Sequence, residues 1–290
     1  MRSRDFWAFM TPFLFLFLVF GIGPLVVCII ISFTHFSLSD YATSGIGFAG
    51  FANYLAVLAS PRFWRAMSFT LFYVCTTVPL ELCLGFAVAL LLNARIKLRG
   101  VFSGALLLPY VLTPVVAAMA FSWLFRDQWG YVSYLLGQIG IHLDWFNNPW
   151  PARFLFVIFA VWKFTPFVIL ILFAGLKSLP REPLEAASID GASWSQRVFF
   201  IIIPLLRHLF IFVILTRMID AFKLFDEVFV MTGGGPGSAT QTIVYYDYVQ
   251  TFRYMDLGRG TAVGVLSVLA LMIIGTPLLY YVYRGQLRRN

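Results

Sequence analysis

Six long apolar runs dominate the chain, and they leave it few ways to fold. About 20 mainly apolar residues cross the hydrocarbon core of a bilayer. Runs of that length occupy 7–33, 64–92, 102–125, 154–176, 205–225 and 262–283. In lipid, backbone N–H and C=O groups must find partners inside the segment, so such runs are helical. Their interruptions are Gly and Pro, at Gly21, Gly23, Pro24, Pro79, Pro109, Pro114, Pro166 and Pro277. Spanning helices tolerate these where neighbours satisfy the freed groups. The chain is 60% hydrophobic and only 12% charged, against about a quarter charged for a soluble domain. The expected fold class is therefore an all-α membrane protein with six transmembrane helices, forming a single transmembrane domain over 1–290.

Arg2 and Arg4 precede the first run, as in a signal peptide. That run is longer than the usual 7–15-residue apolar region, and no small-x-small cleavage site follows it, so it is read as an uncleaved first span. The net charge of +8 would suggest nucleic acid in a soluble protein. Here the cations flank apolar runs and report topology instead. Arg2, Arg4, Arg95, Lys97, Arg99, Lys177, Arg181, Arg197, Arg207, Arg284, Arg288 and Arg289 fall on one side. The other side has half as many: Arg62, Arg65, Arg126, Arg153, Arg253 and Arg259. The richer side is expected to be cytoplasmic, which puts both termini inside. The cysteines, Cys28, Cys75 and Cys83, lie within apolar runs and read as small buried hydrophobes. Their number and spacing suit neither a disulfide framework nor a zinc site. His35 and His142 have no carboxylate at ligand spacing, so no metal site is expected.

Charges inside the runs need partners. Lys163 lies well within the fourth run, where a charge costs about 2.5–3.5 kcal/mol, so it must face a partner or a wet cavity. In the fifth run, RMIDAFKLFDEVF places Arg217, Asp220, Lys223, Asp226 and Glu227 three or four apart, which stacks them on one helix face. Leu205–Ile219 alone covers about 22 Å, short of the ~30 Å core, so the helix is expected to continue into this charged stretch. Two readings stay open: a polar lining at the outer mouth of a solute path, and a salt-bridge ladder that fixes helix packing. MTGGGPGSATQT follows, where Gly233, Gly234, Gly235, Pro236 and Gly237 force a turn. Beyond it, Tyr245, Tyr248, Val249 and Phe252 share the face of a short helix at the outer surface. Segment 126–151 carries Trp129, Tyr131, Tyr134, Trp145 and Trp150, as an interfacial aromatic belt does; sugar stacking is the second reading.

The most informative segment lies between the fourth and fifth runs, at 180–204. Pro183 suits a first helical turn, where its missing N–H has no partner in any case. Gly191 is placed for a left-handed stop. Ser193 and Gln196 have capping-box spacing for a second helix, and Pro204 marks entry to the next run. The expected product is a helix–turn–helix at the membrane surface with an Ala/Ser face.

This segment carries a resemblance. Glu185, Ala186 and Ala187 are followed by Gly191, Ile201 and Pro204, the spacing of the cytoplasmic coupling motif of binding-protein-dependent ABC importer permeases, with Ile203 standing where Leu is usual. Gly50, Asn53, Tyr54, Phe63 and Trp64, the string VWKFTPF, and the Gly-Gly-Pro turn also resemble that family, above all its sugar-type members for maltose, oligosaccharides or glycerol phosphate. The resemblance implies an importer-permease (MetI-like) core with an extra N-terminal helix in a prokaryotic cytoplasmic (inner) membrane. It implies a second homologous permease subunit, two cytoplasmic ATP-binding subunits and an extracytoplasmic solute-binding protein as partners, besides the lipid bilayer. By the same resemblance Glu185, Ala186, Ala187, Asp190 and Gly191 dock on an ATPase subunit. The charged residues Lys163, Arg217, Asp220, Lys223, Asp226 and Glu227 are the candidate solute path. No nucleophile signature such as G-x-S-x-G and no G-x-x-x-x-G-K-[ST] loop occurs, so the chain is expected to be non-catalytic, without cofactor or nucleic-acid partner. The alternatives are a permease of this family for a non-sugar solute, an ion-coupled secondary transporter and an intramembrane hydrolase.

Overall fold

A computed structural model describes residues 3–38, 47–94, 99–127 and 129–287. Arg2, Arg95, Lys97, Arg288 and Arg289, used above to orient the chain, lie outside the described residues. In chain order the helices and strands are α1 Ser3–Leu16, α2 Gly23–Ser32, β1 Thr34–His35, β2 Gly47–Phe48, α3 Ala52–Ala59, α4 Pro61–Asn93, α5 Arg99–Val111 and α6 Pro114–Leu124. There follow α7 Tyr131–Gln138, α8 Pro149–Ser178, α9 Glu182–Ile189, α10 Trp194–Arg197, α11 Ile203–Phe222, α12 Asp226–Met231, α13 Ile243–Tyr248 and α14 Leu257–Leu287. Wide π turns join α1 to α2 at Phe17–Ile22, α10 to α11 at Val198–Ile202, and extend α13 at Val249–Arg253. The first two lie just before Pro24 and Pro204. A proline inside a continuous helix lacks the N–H for the i−4 carbonyl, and a π turn absorbs the fault without ending the helix.

Among the described residues, five helical stretches are long and apolar enough to cross a membrane, or six if α5 and α6 count as one span. The third apolar run is thus not one straight helix. Its described part, Gly104–Val111 and Pro114–Leu124, is bent by 100°. Thr113 is extended (φ −62°, ψ 144°), as the residue before a proline tends to be, and Pro114 restarts the helix.

The chain forms two compact units. The first comprises Met1–Trp64 and Ile243–Ala270. There Asn53 Nδ2 donates to the carbonyls of Ser32 (2.9 Å) and Thr34 (2.8 Å), and the hydroxyls of Tyr54 and Ser32 meet at 2.6 Å. β1 and β2 pair antiparallel, and Arg62 Nη1 donates to Tyr254 Oη at 2.9 Å. Met10–Ser32, with a mean hydropathy of 3.0, buries none of its most apolar window against the rest of the chain. The Tyr245 face forms: the rings of Tyr245 and Tyr248 lie 5.9 Å apart and those of Tyr248 and Phe252 5.5 Å apart, with Tyr245 and Val249 buried and Phe252 63% exposed at its end.

The second unit comprises Arg65–Thr242 and Leu271–Asn290. Its core joins α4, α8 and α11 through Ala89, Val168, Leu172, Leu176, Leu206 and Val213, with Val198 and Ile202 of the π turn packed into the same cluster. Small residues let these helices approach closely, as they do in membranes. A Cβ on Gly85 would sit 2.6 Å from Val168 Cγ1, and one on Gly175 would collide with Leu209. The three cysteines are exposed, not buried as expected from sequence. In a membrane an apolar thiol is equally suited to a lipid-facing surface.

Candidate functional site

Two arrangements in the second unit carry the chemistry. The first is the elbow between α8 and α11. Pro183 sits in the first turn of α9. Gly191 is left-handed (φ 79°); its N–H donates to Ser188 O (3.2 Å) and that of Ala192 to Ala187 O (2.9 Å). Those two bonds make a complete Schellman stop. The capping box then opens α10: Gln196 N–H donates to Ser193 Oγ (3.3 Å), and Ser193 N–H to Gln196 Oε1 (2.7 Å). Arg197 Nη1 donates to Ser188 Oγ at 2.6 Å and ties the two short helices together. Glu185, Ala186, Asp190 and Gly191 are exposed and Ala187 half-buried, while Ile189 is 86% exposed. Leu179, Leu184, Val198 and Ile202 on the other side pack against the α4–α8–α11 cluster. The elbow therefore presents Glu185, Ala186, Asp190 and Gly191 outward together with the exposed Ile189 and Trp194, and is bolted to three long helices behind.

The second arrangement is a buried charge cluster. Arg217 of α11 meets Glu81 of α4 in a fork, Nε to Oε2 at 2.7 Å and Nη2 to Oε1 at 3.2 Å. The side chains are 2% and 0% exposed. Arg217 Nη1 also reaches Asp220 Oδ2 at 3.4 Å, and its guanidinium lies 3.9 Å from the centre of the Phe164 ring. This is the planar, bidentate pairing for which arginine is suited in a low-dielectric interior. Lys163 lies beside it on α8 but takes different partners. Its ammonium donates to Leu112 O (2.6 Å) and Pro109 O (3.3 Å). The sharp bend at the extended Thr113 leaves carbonyls at the end of α5 without helical donors, and a cation suits that negative helix end.

Of the salt-bridge ladder, one of the two open readings, only the Arg217–Asp220 rung forms among the described residues. α11 ends at Phe222, Lys223–Phe225 turn, and α12 starts at Asp226. Lys223 and Asp226 are exposed and Asp220 is 53% exposed, whereas Glu227 is buried. The turn takes Asp226 and Glu227 off the face of α11, and Arg217 pairs with Glu81 of α4 as well as with Asp220. Glu81 escaped the sequence reading. The available signal was that an acidic residue alone in an apolar run needs a cationic partner, and Arg217 needed an anionic one.

The MTGGGPGSATQT turn is as glycine-dependent as expected, with Gly233, Gly234 and Gly237 at φ 58°, 83° and 54°. Thr232 and Thr240 hydroxyls meet across it at 2.7 Å. Arg153 Nε donates to Ala239 O at 2.9 Å, which secures the turn to α8. In the aromatic segment Trp129, Tyr131, Tyr134 and Trp150 are exposed and Trp145 is buried. Folding brings His142 to a pocket of about 250 Å³ that Asp127, Asp144 and Trp145 also line. Burial and a hydrogen bond to Asp144 raise the Asp127 carboxyl above its ordinary range, while the Asn147 N–H holds Asp144 below it.

The family described as "Binding-protein-dependent transport system inner membrane component" matches residues 45–288. The trehalose/maltose transport system permease protein MalF of Thermococcus litoralis is 36% identical over 244 residues, covering 84% of this chain and 81% of that protein. The arabinooligosaccharides transport system permease protein AraP of Halalkalibacterium halodurans is 34% identical, covering 94% and 86%. Among solved structures, a bacterial ABC transporter involved in the import of the acidic polysaccharide alginate superposes with a TM-score of 0.82 over 98% of this chain and 96% of its own, at 19% identity. A second structure of a bacterial alginate ABC transporter, in complex with an alginate pentasaccharide-bound periplasmic protein, gives 0.81 over 96% and 93%, also at 19% identity.

Proposed function

Because this chain belongs to the binding-protein-dependent ABC permease family, a group of multi-pass inner-membrane proteins, we propose that it is the membrane-spanning subunit of an importer for an oligosaccharide or related sugar. A homologous permease completes the translocation path, two cytoplasmic ATPase subunits supply the energy, and an external binding protein delivers the solute. The names of its relatives, trehalose/maltose and arabinooligosaccharide permeases, support the solute class.

The observation that carries the mechanism is the elbow, exposed on one side and packed into α4, α8 and α11 on the other. Glu185, Ala186, Ala187, Asp190 and Gly191 dock on an ATPase subunit. The Schellman stop and the capping box keep the elbow from flexing, so closure of the ATPases is passed to the long helices as rigid motion. Each nucleotide state favours one orientation of the spans, and differential binding shifts the population between outward-open and inward-open forms. The cation-rich side, the elbow and both termini face the cytoplasm, with α5 and α6 together making the third of six spans. Along the solute path, Asp220, Lys223 and Asp226 offer exposed polar groups. Arg217, Lys163 and Glu227 stand behind them and hold the wall.

The test is reconstitution. With a homologous permease, ATPase subunits and binding protein in proteoliposomes, the chain should take up a labelled oligosaccharide only when ATP is supplied on the ATPase side. Uptake by the purified chain alone, driven by an ion gradient, would overturn this reading in favour of a secondary transporter. ATP-dependent uptake of a non-sugar solute alone would overturn the solute class and leave the mechanism standing.

A further inference from the structure

α7 ends in a Schellman stop of its own. Gly140 is left-handed (φ 77°); its N–H donates to Gly137 O (3.0 Å) and that of Ile141 to Leu136 O (2.9 Å). The stop turns the chain back along the helix. Ser133 Oγ donates to Phe125 O at 2.9 Å and fastens α7 to the end of α6. Between α7 and the returning segment lies the pocket of about 250 Å³ that Asp127, His142, Asp144 and Trp145 line.

Its polar groups are held in place from behind. Asp144 Oδ1 accepts the N–H groups of Phe146 (3.3 Å) and Asn147 (2.9 Å) and the Asn147 side-chain amide (3.0 Å). Asp127 Oδ1 accepts the Trp145 N–H at 3.4 Å. The two carboxyls also hydrogen-bond to each other, which takes a proton between them. The His142 ring rests on α7 where Gly137 has no side chain; a Cβ there would lie 3.4 Å from His142 Cε1. Trp145 is only 5% exposed, its ring edge to face with Phe125 at 5.2 Å. Its Nε1–H is buried without a hydrogen-bond partner among the described residues, whereas a buried indole N–H usually finds one.

These groups select an occupant. An orphaned buried donor is costly, so the ligand must accept from the indole. The carboxyl pair asks it also to donate. An ammonium or guanidinium has no acceptor, and an anion would meet the negative charge of the pair. A hydroxyl group both accepts and donates. Leu136, Ile141 and Leu143 add an apolar side that suits C–H groups. The volume lies just under the ~300 Å³ at which pockets for drug-sized ligands begin, so it suits one ring and not a chain of them.

We infer that this pocket is a subsite for one neutral sugar ring, bound through its hydroxyls to Trp145 Nε1 and the Asp127–Asp144 pair. It is separate from the charged residues proposed for the solute path. The inference rests on the proposed function in two respects: the solute is a sugar, and 126–151 faces outward. A ring held there keeps a released oligosaccharide beside the importer, which raises its effective concentration for entry.

Trehalose carrying a diazirine is photolysed with the importer complex in nanodiscs, without binding protein, and labelled peptides are mapped by mass spectrometry. The wild type should be labelled within 129–148, and excess plain trehalose should compete. Trp145→Phe keeps a ring against Phe125 and removes only the N–H. Half-competition should then need about three- to tenfold more trehalose, the loss of one hydrogen bond. Leu143→Trp, at a position 41% exposed, fills the pocket and should abolish the label. Glucuronate, an anion, and spermidine, a cation, should not compete. Absence of a competable label in 129–148 would overturn the inference, since water alone then fills the pocket. Equal competition on the wild type and Trp145→Phe, or displacement by either ion, would overturn it too. If the reconstituted importer takes up oligosaccharide while the pocket stays unlabelled, only this subsite falls. If the pocket takes the label but uptake is of a non-sugar solute alone, the proposed solute class falls and the ring site stands.

Discussion

Removing one member of the Glu81–Arg217 pair strands the other charge in a dry interior. Arg217→Ala should therefore destabilise the protein by about 3–5 kcal/mol, seen as a much lower unfolding temperature of the detergent-purified complex. Glu81→Leu combined with Arg217→Met removes both charges and should restore most of the loss. A double variant no more stable than the single one would show that the pair is not the source of the cost. Asp247 is a different case. Burial lifts its carboxyl from 3.8 to about 6, with the Thr251 hydroxyl pulling the other way. The folded state thus holds this proton more tightly than the unfolded chain, so stability is fullest below about pH 4 and falls as pH rises through 6. Asp247→Asn should raise the unfolding temperature at pH 8, by at most about 3 kcal/mol in stability, and change it little at pH 4. An equal shift at both pH values would contradict the burial argument. Single residues were legible in sequence only as problems: Lys163 demanded a partner, but nothing in the string VWKFTPF names the Leu112 and Pro109 carbonyls that supply it.

Elements were legible where their determinants are local. Pro183, Gly191, Ser193 and Gln196 fix the elbow by backbone conformation and hydrogen bonds only a few residues apart, and their spacing alone suggests it. The bend at Leu112–Thr113 and the end of α11 at Phe222 were not legible. Hydropathy registers neither: Pro114 disposes Thr113 to the extended form, but many spans carry a proline without a sharp bend, and no Gly or Pro marks the break at Lys223. The bend supplies a test. Lys163→Met keeps the volume of the side chain but leaves the Pro109 and Leu112 carbonyls without their donor, at about 1–3 kcal/mol for each unsatisfied group. The unfolding temperature should drop and limited proteolysis between α5 and α6 should quicken. Lys163→Arg, which keeps a cationic donor, should recover part of both. Equal behaviour of the two variants would mean that the ammonium does not hold the break.

For the whole molecule, composition and six apolar runs were enough for a helical membrane protein. Whether the third run makes a full crossing depends on a 100° bend that hydropathy does not register. Membership of the permease family was legible because the elbow's Glu185, Ala186, Ala187, Gly191 and Pro204 stand at the fixed spacing of that family's motif. The long apolar runs carry no such spacing, so the proposed solute path is far less visible in them. The central claim is that the elbow takes up the motion of an ATPase subunit and passes it to the spans behind. Ile189 is 86% exposed at the tip of α9 and offers the most direct probe. In inside-out vesicles carrying the complete importer, Ile189→Cys with Cys28, Cys75 and Cys83 each changed to Ser is treated with a short thiol cross-linker. The expected result is a cross-link to the ATPase subunit whose yield changes on adding ATP. Labelling of that thiol by an impermeant maleimide on the outer surface of intact cells, with no cross-link to the ATPase, would contradict the account.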